Sequence, residues 1–223
     1  GAKGANMVLT SACASGTHAI GAAYTEIVMG RCDACISGGV EATVTPMGIS
    51  GFTALKALST AHNDDPEKAS RPFDKDRDGF VMGEGAGLLM LESLEHAQAR
   101  GATIYARLAG WANTSDAHHV TAPCPDGEGA ARCMKLALAR AGMQPSDIGY
   151  INAHGTSTPL GDKAETLAVK SVFGGRECAP PMSSTKSATG HLMGAGGLTE
   201  VIACIMAPVS YTHLRAHETG AYL

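Results

Sequence analysis

The sequence lacks several things that would send it to other classes of protein. No apolar run reaches the about eighteen residues that span a bilayer, so no membrane-crossing helix is expected. There is no basic excess: 17 Lys and Arg stand against 21 Asp and Glu, a net charge of -4, which argues against a nucleic-acid binder. A local basic patch is still compatible with docking an acidic protein partner. No signal-peptide pattern opens the chain, and no short-period repeat runs through it. The start at Gly1-Ala2-Lys3-Gly4, without an initiator methionine, reads as the beginning of an internal fragment.

What is present suits a compact globular chain. The 223 residues are 44% apolar and only 17% charged, enough for a hydrophobic core in one domain or two small ones. The cysteines Cys13, Cys32, Cys35, Cys124, Cys133, Cys178 and Cys204 are odd in number and scattered through apolar segments. Free thiols in a reducing, cytoplasmic compartment are the expectation. Cys32-Asp33-Ala34-Cys35 has the spacing of redox and zinc sites, but no second pair accompanies it, and it reads as structural thiols. His118-His119 reads as surface.

Along the chain, strands alternate with helices. Short strands are expected at Asn6 to Leu9, Ala34 to Ser37, Gly85 to Leu91, Ile104 to Trp111 and Tyr150 to Ala153, and an extended segment at Pro181 to Ser184. Helices are expected at Thr17 to Met29, Ser93 to Arg100, Gly127 to Ala141, Asp162 to Phe173 and Gly194 to Met206, with Gly30, Gly101 and Gly142 as stop signals. Asn63 to Gly79, rich in Asp, Pro and Lys, reads as a surface loop. The alternation predicts a layered α/β fold.

Residues 209–223 stand apart. The run Val209 to Thr219 matches one reading frame of a common transposon-based sequencing adapter, so this tail is expected to be read-through and not native. On that view the i, i+4 spacing of His213 and His217 is coincidence.

Three residues stand out for chemistry. Cys13, in TSACASGTHAIG, lies between a strand and a small-residue helix. There the positive helix end lowers a thiol's pKa, and small neighbours admit an acyl chain and backbone N–H groups. A lone buried cysteine is otherwise usually inert. His154 closes an apolar strand at the head of HGTSTPLGD, where sheet-based sites place catalytic groups. His191 lies in STKSATGHLMGAGG, five residues after Lys186. Either histidine alone would read as structural; a cysteine and two histidines, each in its own Gly/Ser/Thr-rich elbow, are hard to explain as three accidents.

Together TSACASGTHAIG, RPFDKDRDGFVMGEGAG, NAHGTSTPLGDKAE and SSTKSATGHLMGAGG resemble the β-ketoacyl-acyl carrier protein synthases, the thiolase-fold condensing enzymes of fatty acid synthesis. The likeness runs from about Asn6 to Met206 and is nearest the type II elongating synthases. It implies a thiolase-like layered α-β-α-β-α fold, incomplete at both ends, with residues 1–105 from the N-terminal half and 106–208 from the C-terminal half. Polyketide ketosynthases usually read TACSSS at the cysteine and NIGHT at the second histidine. Type I synthases tend to have a serine where this chain has Ala153.

The resemblance also implies roles. Cys13 would hold the acyl chain, while His154 and His191 would donate to the enolate formed when malonyl-acyl carrier protein loses carbon dioxide. Lys186 matches the family's active-site lysine, with Glu200 as its partner. Thr156 and Thr158 would bond the phosphopantetheine arm, or simply brace a turn. Asp162 and Glu165 would touch substrate or orient the following helix. Phe52 would line the acyl pocket unless it is plain core, and Lys56 would meet the carrier protein unless it is an ordinary solvated lysine. No metal or cofactor is implied, since phosphopantetheine arrives on acyl carrier protein; the parent would be a homodimer. The family's carboxy-terminal GFGG loop, which shares the oxyanion hole, is absent, so this chain alone is expected to fold poorly or to be inactive. Two alternatives are a polyketide ketosynthase and a non-catalytic chain-length partner, against which Cys13 argues directly.

Overall fold

The computed structural model describes residues 1–210. In chain order it contains helix α1 (Ser15–Val28), strand β1 (Ala34–Glu41), helix α2 (Pro46–Ala54), strand β2 (Gly85–Glu92), helices α3 (Leu94–Ala99) and α4 (Glu128–Ala141), strand β3 (Ile151–Asn152), helix α5 (Pro159–Phe173), strand β4 (Met182–Ser183), and helices α6 (Lys186–Thr189) and α7 (Gly196–Ser210). Single 3-10 turns lie at Pro66–Lys68, Pro145–Asp147 and Met193–Ala195. Helix and strand are mixed, as the sequence pattern predicts. No helix among the described residues is long and apolar enough to cross a membrane. His213 and His217, with the rest of 211–223, lie outside the described residues.

The chain forms two units that interleave in sequence. One contains Gly1–Ala42, Glu84–Leu108 and the segment from Leu192; the other contains Thr43–Gly83 and Ala109–His191.

In the first unit β1 and β2 pair antiparallel over their full length, from Ala34 opposite Glu92 to Glu41 opposite Gly85. Side chains alternate across the pair. Ile36, Val40, Leu88 and Met90 are exposed on one face, while Ser37 is buried on the other. Helix α1 buries Gly16, Ile20 and Ala23, the helical spacing that lays one stripe against a neighbour. Leu198 of α7 is fully buried. Two glycines set how close these elements come. A Cβ on Gly16 would stand 2.9 Å from the Gly194 carbonyl oxygen, and one on Gly39 would stand 2.8 Å from the same oxygen.

In the second unit α4 and α5 share an apolar core of Ala131, Ala168, Val169, Val172 and Phe173. Ile151 and Met182, from the parallel pair β3–β4, pack against it. Helix α2 begins at Thr45, whose side chain accepts the Gly48 N–H, with Pro46 at the first helical position.

The predicted helix stops hold. Gly30, Gly101 and Gly142 follow α1, α3 and α4 with φ of 67°, 68° and 66°, the left-handed conformation that ends a helix. Helix α5 starts at Pro159, before the expected Asp162, because proline's fixed φ suits a first turn. Several strand expectations need correction. Asn6 to Leu9 is not a strand, and Val8 is 90% exposed. Ile104 to Trp111 is not one either. Neither segment has a neighbouring strand among the described residues, and a strand exists only through its partner's hydrogen bonds. The strand expected to close at Gly38-Gly39 runs through both glycines to Glu41, because β2 supplies a matching ladder. Nor is it buried on both sides, as its exposed Ile36 and Val40 demonstrate.

Gly39→Ala is expected to destabilise the protein by about 1–3 kcal/mol, because its Cβ would press on backbone and not on a side chain that can rotate away. Chemical denaturation of parent and variant checks this, and an unchanged midpoint would refute it.

Candidate active site

The first unit carries the cysteine elbow. The chain reverses from Thr10 into α1 within a few residues, with Ala12 at φ 50°, unusual for a residue other than glycine. Cys13 is half-buried and stands one residue before Ala14, the N-cap of α1. The Ala14 and Ser15 N–H groups that follow it donate to the Ser11 and Ala12 carbonyls, both at 3.1 Å, which closes the turn. Glu41, at the end of β1, accepts a hydrogen bond from Gly194 N–H at 3.1 Å, which ties the sheet to the turn before α7. Glu200 lies half-buried on α7 in this same unit.

The second unit carries both histidines, and the loop of His154 is built on carboxylates. After β3 the chain passes through buried Ala153 to His154. Glu165, in the second turn of α5, accepts the His154 N–H at 2.7 Å and the Gly155 N–H at 2.8 Å with its two oxygens. Asp162 is 1% exposed and accepts the Phe73 N–H at 2.7 Å and the Ser157 N–H at 3.2 Å. Arg77 lies 3.4 Å from that carboxylate and also donates to the Thr158 and Pro159 carbonyls. Ser184 Oγ donates to the Gly155 carbonyl at 2.8 Å. Ser157 is held at φ 70° and is fully buried, so these bonds support a conformation that costs energy.

His191 follows α6 and is 3% exposed. Its backbone N–H donates to the Val81 carbonyl at 2.7 Å, and its carbonyl accepts the Gly83 N–H at 2.9 Å. The two imidazoles meet edge to face, with centroids 5.3 Å apart and planes at 90°. Phe80 stands edge-on to His191 at 5.3 Å, and Phe52 edge-on to Phe80 at 5.3 Å. Lys186 is 2% exposed at the start of α6. Its backbone carbonyl accepts the Ser70 hydroxyl at 2.5 Å.

These surroundings set the charge state. Burial, followed by the positive charge of Lys186, pushes His191 down to about 3 from 6.5. His154, the more exposed of the pair, is shifted the same way by desolvation, then by Lys186 and His191. Both imidazoles are therefore neutral at pH 7, each with one N–H to give and no cationic charge. Burial raises the pKa of Glu165 and of Asp162, opposed by the backbone N–H groups each accepts, by Lys186 at Glu165 and by Arg77 at Asp162.

Of the sequence-predicted residues, the structure gathers His154, His191 and Lys186 in one neighbourhood, with Glu165 and Asp162 beneath their loop. Thr156 and Thr158 lie in that loop, and their hydroxyls are 3.0 Å apart. Phe52 touches the site through Phe80. Lys56 is an exposed residue at φ 52° just beyond α2. Cys13 and Glu200 belong to the other unit. Sequence reading missed Phe80, Phe73 and Arg77. All three lie in RPFDKDRDGFVMGEGAG, the quoted motif to which it gave no chemical role.

Comparison with known proteins identifies the family. Residues 1–97 match the family described as Beta-ketoacyl synthase, N-terminal domain, and residues 105–210 match Beta-ketoacyl synthase, C-terminal domain. The chain belongs to the beta-ketoacyl synthase family. It is 56% identical over 202 residues to the 3-oxoacyl-[acyl-carrier-protein] synthase 2 of Staphylococcus aureus, covering 91% of this chain and 50% of that protein. To the synthase of the same name from Rhizobium meliloti (strain 1021) it is 56% identical over 200 residues, covering 90% and 47%. It thus spans about half the length of the curated relatives it matches. Among solved structures it resembles a type II polyketide ketosynthase bound to a hexaketide and in complex with its acyl carrier protein, with TM-score 0.86, 43% identity, and coverage of 89% of this chain and 49% of that one. A beta-ketoacyl synthase from Burkholderia phymatum STM815 matches with TM-score 0.83 and 46% identity, over 89% of this chain and 47% of that one. These neighbours carry the thiolase-like fold predicted from the sequence.

Because the folded pKa of His191 lies below its unfolded value, the unfolded state binds more protons between the two. Stability due to this residue is complete above about pH 6.5 and is lost as pH falls toward 3. His191→Gln is therefore expected to lose less stability than the parent between pH 6.5 and 4, read from urea unfolding at each pH. Equal losses, or an imidazole that titrates near 6.5 by nuclear magnetic resonance, would contradict the neutral assignment.

Proposed function

We propose that the protein from which this sequence comes elongates fatty acyl chains by decarboxylative condensation on acyl carrier protein. Cys13 Sγ attacks the carbonyl of an acyl-carrier thioester, forming a new thioester and releasing the carrier thiol. Malonyl-carrier protein then binds. Its carbon–carboxylate bond breaks and carbon dioxide leaves, while His154 and His191 each donate an N–H to the enolate oxygen. The enolate carbon attacks the acyl-Cys13 carbonyl, the carbon–sulfur bond breaks, and the cysteine thiolate returns. Lys186 adds positive charge beside the histidines and helps keep them neutral. Thr156 and Thr158 meet the phosphopantetheine arm, Phe52 borders the acyl chain, and Lys56 faces the acidic carrier protein. Glu165 and Asp162 act through the backbone of the histidine loop, and Glu200 is the charge partner of Lys186. The steps use no metal or redox cofactor. The parent acts as a cytoplasmic homodimer, with its two halves dividing near residue 105.

The observation that carries this reading is the pair of perpendicular neutral imidazoles beside a buried lysine. Donors without cationic charge suit an enolate oxygen that forms and is consumed in one turnover. Fatty acid substrates are favoured over polyketide intermediates by the 56% identity to the synthase 2 proteins, against 43% to the polyketide ketosynthase.

In the complete synthase, His191→Ala is expected to slow malonyl-carrier decarboxylation by about 10²–10³. Alkylation of Cys13 by iodoacetamide should stay within about threefold of the parent, because that step needs no enolate donor. Labelled carbon dioxide release and mass spectrometry of the alkylated peptide read the two steps. Decarboxylation at the parental rate would defeat the proposal.

A further inference from the structure

The cysteine elbow is braced from within α1 in a way the proposed reaction does not by itself require. Helix α1 has no side-chain cap: its N-cap is Ala14. Instead Ser15 reaches backwards. Its Oγ accepts the Ser11 N–H at 2.8 Å and donates to the Ala12 carbonyl at 2.7 Å, so one hydroxyl ties the Thr10–Ser11 peptide to the Ala12–Cys13 peptide across the left-handed Ala12. Ser11 is held a second time: its Oγ shares a hydrogen bond of 2.6 Å with His18 Nδ1, seven residues on and one turn into the helix. The backbone N–H of His18 donates to the Ala14 carbonyl at 2.8 Å, within the first turn of the helix. Backbone bonds from Ala14 N–H to the Ser11 carbonyl and from Ser15 N–H to the Ala12 carbonyl, both 3.1 Å, complete the turn. Gly16, next in line, has no side chain to contribute and packs against the Gly194 carbonyl.

We propose that the Ser11–His18 hydrogen bond is a positioning pair for Cys13, holding the elbow in the conformation from which the sulfur and its amide are presented to an acyl thioester. The physical need is specific. A non-glycine residue at φ 50° is strained and persists only where its surroundings over-determine it. Ala12 has no side chain able to hold itself, so the constraint has to come from Ser11 and Ser15 on either side. Ser15 acts over three or four residues inside the turn. The Ser11–His18 bond anchors the N-terminal side of the elbow to the rigid body of the helix. With that anchor gone the turn still forms, but Cys13 samples more directions, and small misplacements of a nucleophile are costly in rate. Ser11 and His18 are both half-buried, so water competes with their bond only in part. The proposal rests on the reading of Cys13 as the nucleophile.

The test uses the complete synthase and a carrier protein charged with a radiolabelled acyl group, and follows single-turnover acylation of the enzyme. Ser11→Ala and His18→Ala each slow acylation about tenfold. The double variant is no slower than the worse single variant, because both remove the same bond. Carrier-protein affinity stays within about twofold of the parent, as expected when geometry and not docking is lost. His18→Asn, whose amide stands near the place of Nδ1, recovers most of the rate. Acylation within about twofold of the parent in both single variants, or losses that multiply in the double variant, overturn the pairing. A matching fall in carrier affinity also overturns it. If His18→Ala does not fold, as judged by circular dichroism, Ser11→Ala and His18→Asn decide the question. Cys13→Ala separates the two claims: acylation that survives in it removes the nucleophile reading, and the positioning claim with it. Acylation lost there but untouched by Ser11 and His18 changes removes only the positioning claim.

Discussion

The carboxylate of Glu165 takes the backbone N–H groups of His154 and Gly155, one on each oxygen, and the geometry of the histidine loop depends on this pair of bonds. Without them two amides beside a buried turn would lack partners, and each such loss costs about 1–3 kcal/mol. The loop also contains Ser157 in the left-handed region, a conformation that does not persist unaided. Asp162 supports it from the first turn of α5 by accepting the Ser157 N–H, and Arg77 holds the carbonyls at the helix start. A helix terminus thus serves as a frame on which an irregular loop is fastened by side chains.

That frame has an electrostatic side. Lys186 is nearly inaccessible, and its charge together with burial drives both imidazoles to the neutral form. The same charge opposes the upward push that burial exerts on Glu165. One cation therefore acts in two directions: it favours the anionic form of the loop's anchor and disfavours the cationic form of the two rings. A neutral residue at 186 would weaken both effects at once.

How much of this was legible in the sequence varies with the range of the interaction. Helix ends at Gly30, Gly101 and Gly142 were readable, because a left-handed C-terminal glycine is a local signal. The segments Asn6 to Leu9 and Ile104 to Trp111 were not, because a strand is a property of two segments and neither has its partner among the described residues. The continuation of β1 through Gly38 and Gly39 was hidden for the complementary reason: glycine signals a break until a matching ladder overrides it. The histidines were conspicuous by their motifs. Phe80, Phe73 and Arg77 were not, since their roles come from contacts with residues more than 75 positions away, and no periodicity marks those. The burial of Lys186 was expected only through resemblance to a family.

The close approach of Gly16 and Gly39 to one carbonyl of Gly194 has an evolutionary consequence. Where backbone lies against backbone, a larger residue cannot be absorbed by a change of rotamer, so drift at these positions is closed off. The packing of α1 and β1 on this turn is in that sense frozen. Variation among relatives is then left to positions where a side chain can shrink or swell without moving the main chain.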